Sequence, residues 1–201
     1  MLFLRASSSP GPTIRGEGIY LRPPVLSDYS EWAALRGKSR DFLEQWEPSW
    51  PSDDLTRTAY RRRVRRYQHE MRQDGSYAFL LFRQGNDELL GGLSLSFIRR
   101  GVAQATSLGY WMGEPYAGQG FMTRAVRAVL PFAFNTLRLH RVEAACLPHN
   151  AASIRLLEKV GFMREGYARR YLRIDGKWQD HLLFARLADD HDDVSDAGER
   201  R

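Results

Sequence analysis

The sequence predicts an α/β domain built on one mixed, mostly antiparallel sheet. Three observations carry this. Residues 77–112 read as three consecutive strands joined by short turns, a meander. Residues 104–137 (QATSLGYWMGEPYAGQGFMTRAVRAVLPFAFNTL) then change period, from a strand over Gln104 to Met112, through a glycine-rich turn over Gly113 to Gly120, to an amphipathic helix from Phe121 to about Leu137. Beyond it come a short buried strand, a helix capped by Asn150, and a hairpin turned at Asp175-Gly176.

Taken in order, Thr13 to Arg22 (TIRGEGIYLR) alternates as an edge strand and stops at Pro23-Pro24. Ser27 or Asp28 then caps a short helix running to about Arg36. Residues 37–54 read as a loop that holds Phe42, Trp46, Glu47, Pro48, Trp50 and Pro51. Two tryptophans in a loop need a surface to cover: either they cap the core, or they line a cleft in which Glu47 faces an amine. Ser52 or Asp53 caps a helix from Leu55 to about Arg72, with Arg57, Arg61, Arg62, Arg63, Arg65, Arg66 and Arg72 around a sparse stripe of Leu55, Ala59, Val64, Tyr67 and Met71. That arginine face is either solvated or in contact with RNA.

The meander runs over Tyr77 to Phe82, Glu88 to Ile98 and Gln104 to Met112. After the long helix, Arg141 to Leu147 (RVEAACL) is a buried strand ending at Pro148. Asn150 caps a helix over Ala151 to Val160, closed by Gly161. Tyr167 to Ile174 and Trp178 to Leu187 make the last hairpin. The Ser/Pro/Gly-rich residues 1–12 and the acidic residues 188–201 read as disordered tails, leaving one domain over residues 13–187.

Charge and composition narrow the function. The chain has 201 residues, 43% of them hydrophobic, enough for one core and with no repeat. Its apolar runs are too short to span a bilayer, and a single cysteine excludes an internal disulfide or a Cys-based metal cluster, so the reading is cytoplasmic. Six acids fall within residues 189–201, so residues 1–188 carry 28 Lys+Arg against 18 Asp+Glu. A basic body of this kind attracts polyanions. The five histidines show neither His-x-x-x-His nor HExxH spacing, and no metal is implied.

Gly118 and Gly120 flank Gln119 just before a helix. They can take positive φ and let the helix's first N–H groups approach an anion without Cβ interference. No Lys-Ser/Thr follows Gly120 and the third glycine of a dinucleotide fingerprint is missing, so neither a nucleotide-hydrolysing P-loop nor a dinucleotide fold is indicated. On its own the turn is equally a tight strand-to-helix connection.

A set of further motifs extends the pattern: Trp46-Glu47-Pro48, Leu108-Gly109-Tyr110-Trp111, Gly118-Gln119-Gly120-Phe121-Met122, Pro148-His149-Asn150, Leu157-Glu158-Lys159-Val160-Gly161-Phe162, and Tyr171 through His181. With the element order, they make the chain resemble the GCN5-related N-acetyltransferase (GNAT) fold, most closely the branch that acetylates ribosomal-protein N-termini. The resemblance spans about residues 13–187 and implies acetyl-CoA as cosubstrate, with no metal. It implies backbone contacts to pantetheine from Trp111, Met112 and Gly113, and to pyrophosphate from Gly118, Gln119, Gly120, Phe121 and Met122, with Asn150 as a further contact.

Two positions depart from the family pattern. Pro115 stands where an Arg or Gln is usual, and Leu157 where many relatives place a tyrosine that protonates the departing thiolate. The resemblance gives that proton to Ser153; by its position alone Ser153 is equally a first-turn helix serine. Glu47, Glu114 and Glu165 are the candidate acids at the amine, with Glu47 favoured by its aromatic loop. Cys146 invites a covalent route but also reads as a buried small hydrophobe, and the expectation is direct transfer in a ternary complex.

The acceptor expected is the N-terminal α-amine of a ribosomal protein. A small-molecule amine, or a non-catalytic acyl-CoA-binding or ribosome-associated module, are the competing readings. The resemblance leaves a monomer and a homodimer open, and the helix over Arg57–Arg72 is the candidate contact to ribosomal RNA.

Overall fold

A computed structural model describes residues 11–190, so most of the tails expected at 1–12 and 188–201 falls outside the described residues, while Ala188 N–H bonds to His140 O at 2.9 Å. Its centre is one eight-stranded sheet, in the order β1-β2-β3-β4-β5-β6-β8-β7. The strands are β1 (Ile14–Gly16), β2 (Ile19–Arg22), β3 (Tyr77–Arg83), β4 (Leu89–Arg99), β5 (Ala105–Met112), β6 (Arg141–Cys146), β7 (Met163–Ile174) and β8 (Lys177–Leu187). Among the described residues only the β5–β6 pair is parallel. Five helices connect them: α1 (Tyr29–Lys38), α2 (Arg40–Glu44), α3 (Arg57–Arg72), α4 (Phe121–Pro131) and α5 (Ala151–Lys159).

Both faces of the sheet are covered. Along β3, Phe79 and Leu81 pack toward α4 and α5, while Leu80 and Phe82 pack toward α1 and α3, which is why YAFLLFR reads as a continuous apolar run. The apolar stripe of α4, Phe121, Met122, Ala125, Val126, Val129 and Leu130, is entirely buried in the first layer. Each large member contributes roughly 1.5–3 kcal/mol relative to exposure. That anchors α4, and with it the loop that precedes it.

Several expected boundaries move. Residues 13–22 form not one edge strand but a tight hairpin, because Gly18 at φ +66 reverses the chain; β1 is the edge and β2 lies inside. The loop expected at 37–54 contains α2. Helix α3 is capped by Thr56, whose hydroxyl accepts the Ala59 N–H at 3.2 Å, rather than by Ser52 or Asp53; Asp53 and Asp54 instead pair with Arg62 and Arg63. Asp28 stands at the start of α1, but its carboxylate takes a bidentate bond from Arg22 and the Val25 N–H, so it ties β2 to α1 instead of capping. Finally, α4 ends at Pro131 and continues as a π-turn over Phe132–Thr136, where the proline's missing N–H breaks the regular ladder.

Candidate active site

The site begins where β5 and β6 part. They pair only over Ala105–Ser107 with Arg141–Glu143; beyond that β5 continues to Met112 with no partner on this side, while β6 stays paired to β8 along its whole length. Which backbone groups this leaves open follows from the β4–β5 register. The Gly113 N–H bonds to Leu90 O at 2.8 Å, and Trp111 lies opposite Gly92 in an unbroken antiparallel run. Alternate residues of such a ladder turn to the same neighbour. Gly113 and Trp111 therefore face β4, and the open groups are those of Tyr110 and Met112. This corrects the expectation for Trp111 and Gly113 and leaves it standing geometrically for Met112.

The glycine turn sits directly above this opening. Gly118 and Gly120 have φ of +74 and +76, and a Cβ on either would point into open space. The first bond of α4 runs from Arg124 N to Gly120 O, so the N–H groups of Gly118 through Met122 meet no acceptor among the described residues. They form a cradle at the positive end of the helix dipole. Pro115 shapes the turn rather than leaving a gap: its carbonyl accepts the Gln119 side-chain N–H at 2.9 Å, which orients the loop from within. Of the two nearby arginines, Arg127 donates to Lys159 O, whereas Arg124 lies over the Phe121 ring, one turn into the helix.

Across the opening stands the start of α5. The Asn150 side chain accepts the Ser153 N–H at 3.0 Å, as its sequence position indicated. The Tyr110 phenol lies beside Ser153; burial pushes its pKa up to about 12, and Ser153 opposes the rise. Tyr110, quoted only as part of a motif, thus meets the site with both its backbone and its side chain. Cys146, at the end of β6, is buried, and burial pushes its thiol up to about 11; a thiol so firmly protonated is a poor nucleophile. Leu157 is fully buried in the core and takes no part.

On the other face of the sheet is a cleft of about 490 Å³, lined by Trp32, Arg36, Glu47, Arg63, Ser94, Gly109 and Trp111 among others. Its wall is a stack that the sequence did not reveal. The Arg36 guanidinium sits 4.0 Å from the Trp50 ring centroid and 4.9 Å from that of Trp111, and donates to both Glu47 oxygens at 2.8 and 2.7 Å. Trp50 Nε1 adds a third bond to Glu47 at 2.8 Å. Glu47, the favoured candidate acid at the amine, is therefore a held carboxylate, because the loop that carries it folds back onto α1.

That loop also reaches both sides of the opening. Its Glu47 carbonyl accepts the Asp175 N–H from the β7–β8 turn, and Trp46 lies against His149 with ring centroids 5.5 Å apart. Of the other candidate acids, Glu165 is held by Arg141, which keeps its carboxyl below the usual range. Glu114 is anchored through its backbone, whose N–H donates to Ser39 Oγ at 2.9 Å.

The arginines of α3 are largely engaged within the molecule. Arg57 lies over Tyr29, Arg62 and Arg63 pair with Asp53 and Asp54, and Arg66 pairs with Glu70. No helix among the described residues is long and apolar enough to cross a membrane.

A parted parallel pair, an anion cradle at its mouth and an aromatic cleft behind it make the kind of site an acyltransferase with a phosphate-bearing donor needs. Residues 19–163 match the acetyltransferase (GNAT) domain family, and the chain belongs to that family of N-acetyltransferases. Its relatives include a Bacillus subtilis protein named as a probable N-acetyltransferase, YjcK, 40% identical over 88% of this chain and 98% of that one. They also include the [ribosomal protein uS5]-alanine N-acetyltransferase of Escherichia coli, 33% identical over 83% of this chain and 87% of that one.

Among solved structures, the ribosomal-protein-S5-alanine acetyltransferase of Vibrio fischeri matches with a TM-score of 0.83 at 29% identity, over 90% of this chain and 98% of that one. RimJ of Mycobacterium smegmatis, in complex with CoA-disulfide, matches with a TM-score of 0.82 at 31% identity, over 88% and 86%. Enzymes of this family take acetyl from acetyl-CoA.

Proposed function

We propose that this protein transfers acetyl from acetyl-CoA to the N-terminal α-amine of a ribosomal protein. The observation that carries the reading is the opening between β5 and β6, with the cradle of Gly118 to Met122 on one side and the Arg36–Glu47–Trp50 cleft on the other. The ribosomal acceptor is supported by the relatives whose names state that substrate. The bound thioester supplies the acetyl electrophile.

The chain's own residues divide the remaining work. The N–H groups of Gly118, Gln119, Gly120, Phe121 and Met122 hold the pyrophosphate, with Arg124 as the nearest cation. Open backbone groups of Tyr110 and Met112 pair with pantetheine, and an N–H there polarises the reacting carbonyl. Asn150 holds the start of α5, so that Ser153 Oγ can give its proton to the leaving sulfur, with the Tyr110 phenol beside it. Glu47 serves the acceptor as part of a fixed wall. An α-amine has a pKa of roughly 8, so water suffices as its base near neutrality.

The test is acetyl-CoA consumption with short peptides beginning Ala or Ser, copied from ribosomal-protein N-termini, beside free amino acids and polyamines. Turnover with an Ala-initiated peptide that stops when its amine is blocked is the expected result. Inert peptides with an active small amine would replace the acceptor and leave the cofactor assignment intact.

A further inference from the structure

One hydrogen bond joins the helix that holds the acceptor wall to the turn that carries the anion cradle. Ser39, between α1 and α2, is fully buried, and a buried hydroxyl needs a partner. A serine at the N-cap of a helix ordinarily bonds to that helix's own first turn. Ser39 stands at the N-cap of α2 and makes no such bond; its hydroxyl oxygen instead accepts the Glu114 N–H at 2.9 Å, across a sequence separation of 75. Its backbone is committed locally, the N–H to the Leu35 and Arg36 carbonyls and the carbonyl to the Leu43 N–H, so the hydroxyl is presented from a fixed position.

A close approach one turn back reinforces the bond. Gly113 has φ −58 and ψ 134, a conformation open to any residue, yet a Cβ there would come within 2.5 Å of Leu35 Cδ1. The glycine is needed for the nearness of α1, not for the turn. Leu35 and Ser39, one turn apart, thus rest on Gly113 and Glu114. Arg36, beside Leu35, holds Glu47 and lies against Trp111, just before Gly113 on the same stretch of chain. The last turn of α1 therefore meets both halves of the site. Beyond Glu114 the chain has little slack: the Tyr116 and Ala117 N–H groups bond back to the Gly113 and Glu114 carbonyls, and Gly118 follows at once. A second tie, from the Tyr116 hydroxyl to Glu88 at 2.7 Å, holds the turn toward β4.

We infer that Ser39 is a positioning residue: it sets the Gly118–Gly120 cradle against the wall built on Arg36, and so the placement of the donor's acetyl group relative to the acceptor amine. This rests on the donor and acceptor sides proposed above. Being fully buried, Ser39 touches neither substrate and acts through Glu114. A displacement of about 1 Å between two bound reactants costs up to roughly 100-fold in rate, which gives one distant hydroxyl kinetic weight. Without it the turn keeps its tie to Glu88 and loses its tie to α1, so the cradle shifts relative to the wall and does not unfold.

The test compares Ser39→Ala, Ser39→Thr and Ser39→Val, with Lys38→Ala, an exposed neighbour, as control. Threonine and valine add the same bulk to a packed site and differ in the hydroxyl, so their difference separates the bond from overpacking. Three quantities are read: hydrogen exchange at the Glu114 amide, coenzyme A affinity by calorimetry, and kcat and KM with whichever amine turns over. In Ser39→Ala and Ser39→Val the amide should exchange faster, the coenzyme A dissociation constant rise about threefold to fivefold, and kcat fall roughly tenfold. Ser39→Thr and Lys38→Ala should stay within about twofold of the parent in each, and acceptor KM should hold within about twofold throughout. A lowered denaturant midpoint with unchanged coenzyme A affinity and kcat would make Ser39 a packing residue and overturn the inference. Equal losses in Ser39→Thr and Ser39→Val would overturn it as well. If the parent acetylates no amine, the acceptor reading falls by itself, and coenzyme A affinity in the threonine and valine variants still decides whether Ser39 sets the cradle.

Discussion

Arg36 and Glu47 close a bidentate ion pair between the rings of Trp50 and Trp111, joining α1, the wall loop and β5 at one point. Removing either partner should have different consequences. Arg36→Ala strips the stack of its centre and leaves a half-buried carboxylate unpaired, which should cost about 3 kcal/mol and loosen the cleft. Glu47→Gln keeps the shape and two acceptor-compatible contacts. If Glu47 is wall and not base, that variant should lose less than about tenfold in kcat and keep the rising limb of the pH–rate profile, with its main effect in acceptor KM. Denaturant midpoints and pH-dependent kinetics read both.

The cradle offers a separate test. Gly120 stands at φ +76 with open space where a Cβ would go, so Gly120→Ala adds strain without a clash. The left-handed conformation costs a non-glycine residue roughly 1–2 kcal/mol, and the methyl would occupy the space an anion needs. KM for acetyl-CoA should rise while acceptor KM changes little. Thermal shift with coenzyme A checks the binding without turnover: the stabilisation seen in the parent should shrink.

What could be read from the chain depended on whether the information was local. The glycine turn, the Asn150 cap and Gly161 at φ +80 each follow from a few adjacent residues, and each stands where the sequence put it. That the end of β5 offers backbone groups to the donor came through the family resemblance, but which of them are open did not, because that parity depends on the bond from Gly113 to Leu90, a contact between two strands. Arg36 was hidden for the same reason. It ends an ordinary helical stretch in sequence, and only the folded-back loop brings Glu47 and Trp50 to it. The cap of α3 was expected at Ser52 or Asp53 and falls at Thr56, and Asp28 holds the N-cap position of α1 without a side-chain cap bond, because arginines claimed the Asp28, Asp53 and Asp54 carboxylates.

Cys146 and Tyr110 give a prediction in the alkaline range. Burial pushes the thiol from 9.0 up to about 11 and the phenol from 10.0 up to about 12. Both bind their proton more tightly in the folded chain, so the stability each contributes is complete below its ordinary value and is lost as pH rises to the folded one. Urea midpoints should therefore fall between about pH 9 and 12, and Cys146→Ala should flatten the lower part of that fall. The same variant should retain most of its activity at neutral pH, as direct transfer requires. Loss of activity with a normal midpoint would instead favour an acyl-cysteine route.

The two sides of β5 can be told apart by two neighbouring glycines of β4. A Cβ at Gly91 would press on the carbonyl of Trp111 and the Cα of Met112, which are backbone and can yield only if the strand moves. A Cβ at Gly92 would meet the Trp111 indole nitrogen and the Phe79 carbonyl, so the ring must leave its place against Arg36. Each substitution should destabilise by about 1–3 kcal/mol, as overpacking does. Their kinetic effects should divide. Gly91→Ala shifts the open amide of Met112 and should raise KM for acetyl-CoA; Gly92→Ala disturbs the aromatic wall and should raise KM for the acceptor. Gly166→Ala, whose Cβ meets nothing within 4 Å, supplies the control and should change neither. Initial rates with one substrate varied at a time separate the two. A Gly91→Ala enzyme with unchanged acetyl-CoA KM but a raised acceptor KM would mean that the donor does not lie along this stretch of β5.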